Sequence, residues 1–202
     1  GSSDQTITEL TSNFQLKEVA AIEEVPLQTE PINHVYKDEN YSLTVIDKAN
    51  GGKADSLNAG INFASGKYVC TIDADSILDN QALKSVVRPF IVDKRTMVTG
   101  GQLAVSNDVV LKNNRVVSSK IPKNIWVLWQ IIEYIKSFLV ARIGLSKINA
   151  LLLMSGAFSM YRYDELIRIG GFLSPQNSHP YIKKLMGLGR QTVCEDMEIV
   201  VR

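Results

Sequence analysis

The residues best suited to chemistry stand in Thr71-Ile72-Asp73-Ala74-Asp75-Ser76, where two carboxylates one residue apart end an apolar run. Two such groups repel each other unless a cation sits near them. A hard divalent ion, Mg2+ or Mn2+, suits these oxygen donors and keeps positions open for substrate phosphates. Asp73 and Asp75 are therefore the expected metal ligands. An Asp-rich turn capping the next helix would be spelled the same way, so the pair gains its weight from its neighbours.

One neighbour is Asn50-Gly51-Gly52-Lys53-Ala54-Asp55-Ser56-Leu57-Asn58-Ala59-Gly60. A glycine turn entering a helix offers backbone N–H groups, and with Lys53 in the first turn it suits phosphate. It spells neither GxxxxGK[ST] nor GxGxxG, and a plain strand-to-helix turn with a solvated lysine is the alternative. Further on, Glu195-Asp196 opens a helical pattern, where the helix dipole favours carboxylates in any protein. Ser155-Gly156-Ala157 interrupts an apolar run, and its glycine allows close approach of a ligand or chain, or a simple bulge.

The elements that must hold these groups follow from periodicity. Residues 4–20 read as a helix with Ile7, Leu10 and Phe14 on one face, and 21–39 as an irregular stretch broken by Pro26 and Pro31. Leu43 to Ile46 and Tyr68 to Ile72 are short β-branched runs expected as buried strands. Helices are predicted over 53–64, over 80–90 with a stop near Pro89, and over 164–169 before Gly170-Gly171. A strand is predicted over 96–105, a hairpin or loop over 107–124, a strand-like run over 151–160, and a loop over 173–192. Strands alternating with helices imply an α/β fold with a mainly parallel central sheet covered on both faces. In such sheets ligands lie beyond the carboxyl ends of strands, where both Gly52 and Asp73 fall.

The segment 125–142 is a long helix whose polar residues, Gln130, Glu133 and Lys136, make one narrow stripe. Its charges make a membrane span unfavourable, so the expectation is a buried or interfacial helix. Composition narrows the classes further. The 202 residues carry 22 basic and 21 acidic side chains, a net charge of +1 that offers no footprint for nucleic acid. Cys70 and Cys194 are too few for a disulfide framework, and His34 and His179 too distant for zinc-ligand spacing. The polar opening Gly1-Ser2-Ser3-Asp4 is not expected to be a signal peptide.

Taken in order, Asn50-Gly51-Gly52-Lys53, Leu57-Asn58-Ala59-Gly60, Asp73-Ala74-Asp75, Ser155-Gly156-Ala157, Gly170-Gly171-Phe172 and Glu195-Asp196 resemble family 2 glycosyltransferases. The likeness is to membrane-associated bacterial members, near the poly-N-acetylglucosamine and hyaluronan synthase type. It implies a single GT-A domain over residues 1–202, truncated at both ends. Gly1-Ser2-Ser3-Asp4 looks like the tail of the family's N-terminal motif, or else a cloning scar, and the Q-x-x-R-W motif would lie beyond Arg202. The resemblance further implies a nucleotide sugar donor, UDP-linked by expectation, contacted by Gly52, Lys53, Asn58, Asp73 and Asp75. Ser155 and Gly156 would face the acceptor, a glycan or lipid-linked hydroxyl. Asp196, with Glu195 beside it, would be the catalytic base, and the whole protein would work at the cytoplasmic face of the bacterial inner membrane. A non-catalytic nucleotide-sugar-binding module and a nucleotidylyltransferase are the rival readings.

Overall fold

The computed structural model describes residues 4–20, 24–112, 115–148, 150–151, 153–176 and 195–201. The chain divides into two compact units, one comprising 1–69 with 163–200 and the other 70–162. The family of motifs is therefore shared out: Gly52, Lys53 and Asn58 belong to the first unit, and Asp73, Asp75, Ser155 and Gly156 to the second.

In the first unit a short helix α1 (Thr6–Asn13) leads into three strands, β1 (Lys17–Val19), β2 (Ile32–Asp38) and β3 (Leu43–Lys48). They form an antiparallel meander in the order β1-β2-β3, with a bulge between Ile32 and His34. The β2–β3 turn is built on Asp38, which is buried and accepts from the N–H groups of Gln15, Asn40 and Tyr41. Helix α2 (Gly52–Asn62) follows β3, and α6 (Tyr163–Arg168) ends at Gly170 and Gly171. Both glycines have positive φ, which lets the chain turn sharply out of the helix toward Phe172. Leu27, Val35, Ile61, Leu166 and Phe172 are the apolar heart of this unit. Each such buried side chain stabilises by about 1.5–3 kcal/mol.

The second unit holds a sheet of β4 (Tyr68–Ile72, which begins in the first unit), β8 (Phe158–Arg162) and β5 (Val98–Gly100), in the order β4-β8-β5. Helix α3 (Ala82–Val92) packs on β5 and β8 through Val86 and Phe90, and the Thr99 hydroxyl donates to the Val86 carbonyl at 2.7 Å. A hairpin of β6 (Val109–Lys112) and β7 (Arg115–Ser119) precedes α4 (Ile125–Tyr134). The helix then widens into a π-helical stretch, Ile135–Arg142, and returns to α geometry in α5 (Ile143–Lys147). Asn124 caps α4, its side chain accepting from the Trp126 N–H at 2.9 Å.

The mixed α/β composition holds, but the ladders of described register, β1–β2, β2–β3, β5–β8 and β6–β7, are all antiparallel. A mainly parallel central sheet is not seen among the described residues. The stretch 21–39, expected to be irregular, contains β2; Pro31 marks the entry to the strand, where a missing N–H is harmless, instead of a break. The first helix is shorter than expected because Gln15 N–H is drawn to Asp38, and the chain turns into β1. Helix α3 runs three residues past Pro89, a position that costs one backbone bond without ending the helix. The strands at 43–46 and 68–72 form where expected but are half-buried for most of their length. The loop expected over 173–192 lies mostly outside the described residues, which reach 176.

Candidate functional site

Asp73 follows directly on β4. Its N–H donates to the Ala157 carbonyl at 3.1 Å, and its carbonyl accepts from the Ser76 N–H at 3.0 Å. The first of these bonds brings together two motifs more than eighty residues apart in sequence, the Asp73-Ala74-Asp75 turn and the Ser155-Gly156-Ala157 segment. The second makes the turn that carries Asp75 outward. Asp73 is half-buried and Asp75 exposed, so the carboxylates keep access to solvent ions.

The segment opposite is held from within. Ser155 is buried; its hydroxyl accepts from the Ala157 N–H at 3.3 Å and its carbonyl accepts from the Ser159 hydroxyl at 2.6 Å. Ser155 thus shapes the turn that meets Asp73, while the adjoining Gly156 is half-exposed. Behind them, the Thr71 hydroxyl donates to the Ser159 carbonyl. The neighbouring Cys70 is half-buried, and burial pushes its thiol up to about 11, which keeps it protonated and unreactive near neutral pH.

Among the described residues no three His, Cys, Asp or Glu side chains lie close enough to form a metal cage. Two accessible carboxylates fit a different kind of site. Mg2+ and Mn2+ are commonly held by one or two carboxylates plus water and substrate phosphate, which is the donor set Asp73 and Asp75 could begin.

In the first unit, Gly51 caps α2 and Gly52 has φ of +85°. Gly51 is required because a Cβ there would fall 2.3 Å from Asp55 Oδ2. The Gly52 N–H donates to Asn50 Oδ1 at 3.1 Å, so this amide is engaged by the protein itself. Lys53 projects exposed from the first turn of α2. Asn58 is different. It is fully buried, donates to the Phe172 carbonyl at 2.7 Å and accepts from the Phe172 N–H at 2.8 Å. The expectation that Asn58 contacts the nucleotide sugar is corrected on this ground, since both ends of its amide are committed to backbone.

Three residues that the sequence reading left without a role complete this lattice. Asn62, one turn after Asn58, accepts from the Leu27 N–H at 3.0 Å and donates to its carbonyl at 2.9 Å. Asp55 is fully buried, accepts from the Glu30 N–H at 3.0 Å and pairs with buried Lys48. Lys48 also donates to the Ala49 carbonyl at 2.6 Å, just ahead of the glycine turn. The available signal was the spacing itself: polar Asp55, Asn58 and Asn62 repeat at i, i+3 and i+7 on a helix that must bury one face. Glu195 and Asp196 open the helix Glu195–Val201, while their side chains, with His179 and Cys194, lie outside the described residues.

Residues 26–166 match the model of Glycosyl transferase family 2, a stretch that runs through both units. The chain belongs to this family. Poly-beta-1,6-N-acetyl-D-glucosamine synthase of Staphylococcus epidermidis is 29% identical over 133 residues, 65% of this chain and 29% of that protein. The synthase of the same name from Staphylococcus aureus is 26% identical over 172 residues, 82% of this chain and 38% of that protein. Hyaluronan synthase of Pasteurella multocida is 35% identical over 65 residues, 32% of this chain and 7% of that protein. The chain therefore spans well under half the length of the relatives it matches.

Proposed function

We propose that this chain is the sugar-transfer portion of a glycosyltransferase with a GT-A fold. It would move a sugar from a UDP-linked donor to a hydroxyl on a glycan or lipid-linked acceptor during cell-surface polysaccharide synthesis. The observation that carries the reading is the Asp73–Ala157 bond, which sets an accessible pair of carboxylates against the Ser155-Gly156-Ala157 turn. Membership of Glycosyl transferase family 2 supports the reaction class. The names of the staphylococcal relatives favour an N-acetylglucosamine donor.

In this reading Asp73 and Asp75 hold Mg2+ or Mn2+ together with the donor diphosphate. The bound ion would supply charge neutralisation for the nucleoside diphosphate leaving group. Lys53, in the first unit, would contact the nucleotide through its positive charge. Asp196 accepts the proton of the acceptor hydroxyl while that oxygen bonds to the anomeric carbon. The bond from that carbon to the diphosphate breaks from the opposite face, so configuration inverts. Such general-base help is worth about 10²–10⁴-fold in rate. Gly52 and Gly156 contribute backbone that lets ligands approach closely, and Glu195 adds negative charge beside the base. The relevant compartment for the intact protein is the cytoplasmic face of a bacterial inner membrane.

The test is transfer of labelled N-acetylglucosamine from its UDP donor by the intact protein, with Mn2+ and with EDTA. Asp196→Asn should lower transfer by at least 10²-fold and leave donor binding unchanged. Near-normal transfer by that variant, or full activity in EDTA, would refute the assigned roles.

A further inference from the structure

We infer that Lys48 and Asp55 are positioning residues of the donor site: their buried pair holds the turn Asn50-Gly51-Gly52 in the shape that presents Lys53 to the nucleotide. The inference rests on the reading of Gly52 and Lys53 as nucleotide contacts. All of these residues lie in the first unit. Lys48 ends β3 and Asp55 stands in the first turn of α2, so the pair spans the turn from both sides. The turn is fastened at three successive residues. The Lys48 ammonium, paired with Asp55, also donates to the Ala49 carbonyl at 2.6 Å. The Asn50 side chain accepts from the Gly52 N–H at 3.1 Å. Between them Gly51 lies directly on Asp55, since a Cβ there would fall 2.5 Å from Asp55 Cγ and 2.9 Å from its Cβ. Gly51 has φ of −124°, which L residues adopt, so it is the contact with Asp55 that demands glycine.

The commoner duties of such residues do not account for the pair. An aspartate in the first turn of a helix ordinarily serves that helix's own N–H groups. Asp55 instead accepts from the Glu30 N–H at 3.0 Å, and the N-cap of α2 makes no side-chain capping bond among the described residues. A lysine near a phosphate-binding turn ordinarily reaches the ligand as a charge. Lys48 is only 5% exposed and spends its ammonium on Asp55 and Ala49. Together the two charges cancel, so the pair offers a ligand geometry and little attraction. As a source of stability it is a poor choice, because apolar residues of similar volume commonly do as well in a core. What it supplies is direction: a carbonyl and a carboxylate fixed on either side of two adjacent glycines. Glycines have the widest backbone freedom of any residue, and a turn left free would be ordered only when the nucleotide binds, at the expense of affinity. With Lys48 and Asp55 in place the ordering is complete on folding.

The test is calorimetric titration of UDP in Mn2+ into the intact protein as wild type, Lys53→Ala, Gly51→Ala, and Lys48→Met with Asp55→Leu. Each titration gives a dissociation constant and a number of competent sites, and a merely structural pair would move only the second. The paired replacement and Gly51→Ala should each weaken UDP by at least about fivefold with the number of sites unchanged. In transfer of labelled N-acetylglucosamine the same variants should raise the donor KM and leave kcat within about twofold. Circular dichroism checks folding; if the paired replacement does not fold, Gly51→Ala, which keeps both charges, decides alone. Weaker UDP binding by Lys53→Ala, with wild-type constants in the other two variants, would overturn the positioning role and leave the nucleotide reading intact. Wild-type binding by Lys53→Ala would refute that reading and the inference with it. Fewer sites with an unchanged constant would reduce the pair to a structural role and overturn the proposal.

Discussion

Asn58 and Phe172 stand 114 residues apart in sequence and are joined by two hydrogen bonds, amide to carbonyl at 2.7 Å and N–H to amide oxygen at 2.8 Å. Asn62 repeats the same clasp on Leu27 one helical turn later. Helix α2 thus uses two asparagines where a core helix normally uses leucines. Each amide gives an irregular backbone segment the donor and acceptor that a neighbouring strand would otherwise provide.

Replacement of Asn58 by Leu should therefore act on stability. Losing both bonds and leaving the Phe172 backbone groups unpaired costs about 2–4 kcal/mol. Urea denaturation followed by circular dichroism would measure it. A change below about 0.5 kcal/mol with a large loss of nucleotide affinity would return Asn58 to the ligand.

The glycines of this unit should separate cleanly by position. At Gly171, φ is +68° and a Cβ would lie 2.5 Å from Asn58 Oδ1. Gly171→Ala should cost more than the ~1–2 kcal/mol of left-handed backbone strain, because it also displaces the Asn58 clasp. Gly60, inside α2, has open space where its Cβ would go. Gly60→Ala should stabilise by about 0.5–1 kcal/mol, through helix propensity and a less free unfolded chain. Paired thermal melts would show the opposite signs.

Lys48 and Asp55 form an ion pair with almost no contact with solvent. Breaking it with Asp55→Ala strands a buried ammonium and the Glu30 N–H, and should destabilise by about 3–5 kcal/mol. Joint replacement by Lys48→Met and Asp55→Leu removes both charges and should cost less than the single change. A double variant weaker than Asp55→Ala, measured by chemical denaturation, would contradict this account of the pair.

What the sequence made legible here divides along physical lines. The Asp73-Ala74-Asp75 turn, the glycine turn before α2 and the ending of α6 at Gly170 could be read because each depends on local backbone chemistry. The structure adds to them the bond from Asp73 to Ala157, which belongs to tertiary pairing and leaves no local trace. β2 escaped notice because its polar His34, Tyr36 and Lys37 mask the alternation. Asn58 was misassigned for a related reason: a polar residue on a helix looks like a ligand contact until its buried partner is known. The apolar surplus of 125–142 is legible in the sequence; in the structure Phe138 is buried, whereas Ile125, Trp126, Trp129 and Ile132 stand exposed.

His34 supplies a pH signature. A hydrogen bond between its Nδ1 and Glu18 at 2.7 Å, aided by the charges of Glu18 and Asp47, raises its pKa above the ordinary 6.5. A raised folded-state value means the contribution to stability is complete below 6.5 and is lost as pH rises through the folded value. Both side chains are at least half exposed, so the effect should be small and screened by salt. His34→Gln should flatten the slope of the denaturation midpoint between about pH 6 and about pH 8, whereas an unchanged slope would exclude His34 as its source.

Under the proposed function, Asp73 and Asp75 would bind a nucleotide diphosphate through a divalent cation. Calorimetric titration of UDP-N-acetylglucosamine into the 202-residue chain tests it directly, with Mn2+, with EDTA, and with Asp73→Ala in Mn2+. The dissociation constant should be measurable in Mn2+ and worsen by at least about tenfold in EDTA and in the variant, a loss of about 1.4 kcal/mol or more. An Asp73→Ala protein that folds normally and binds the donor in Mn2+ as tightly as wild type would contradict it.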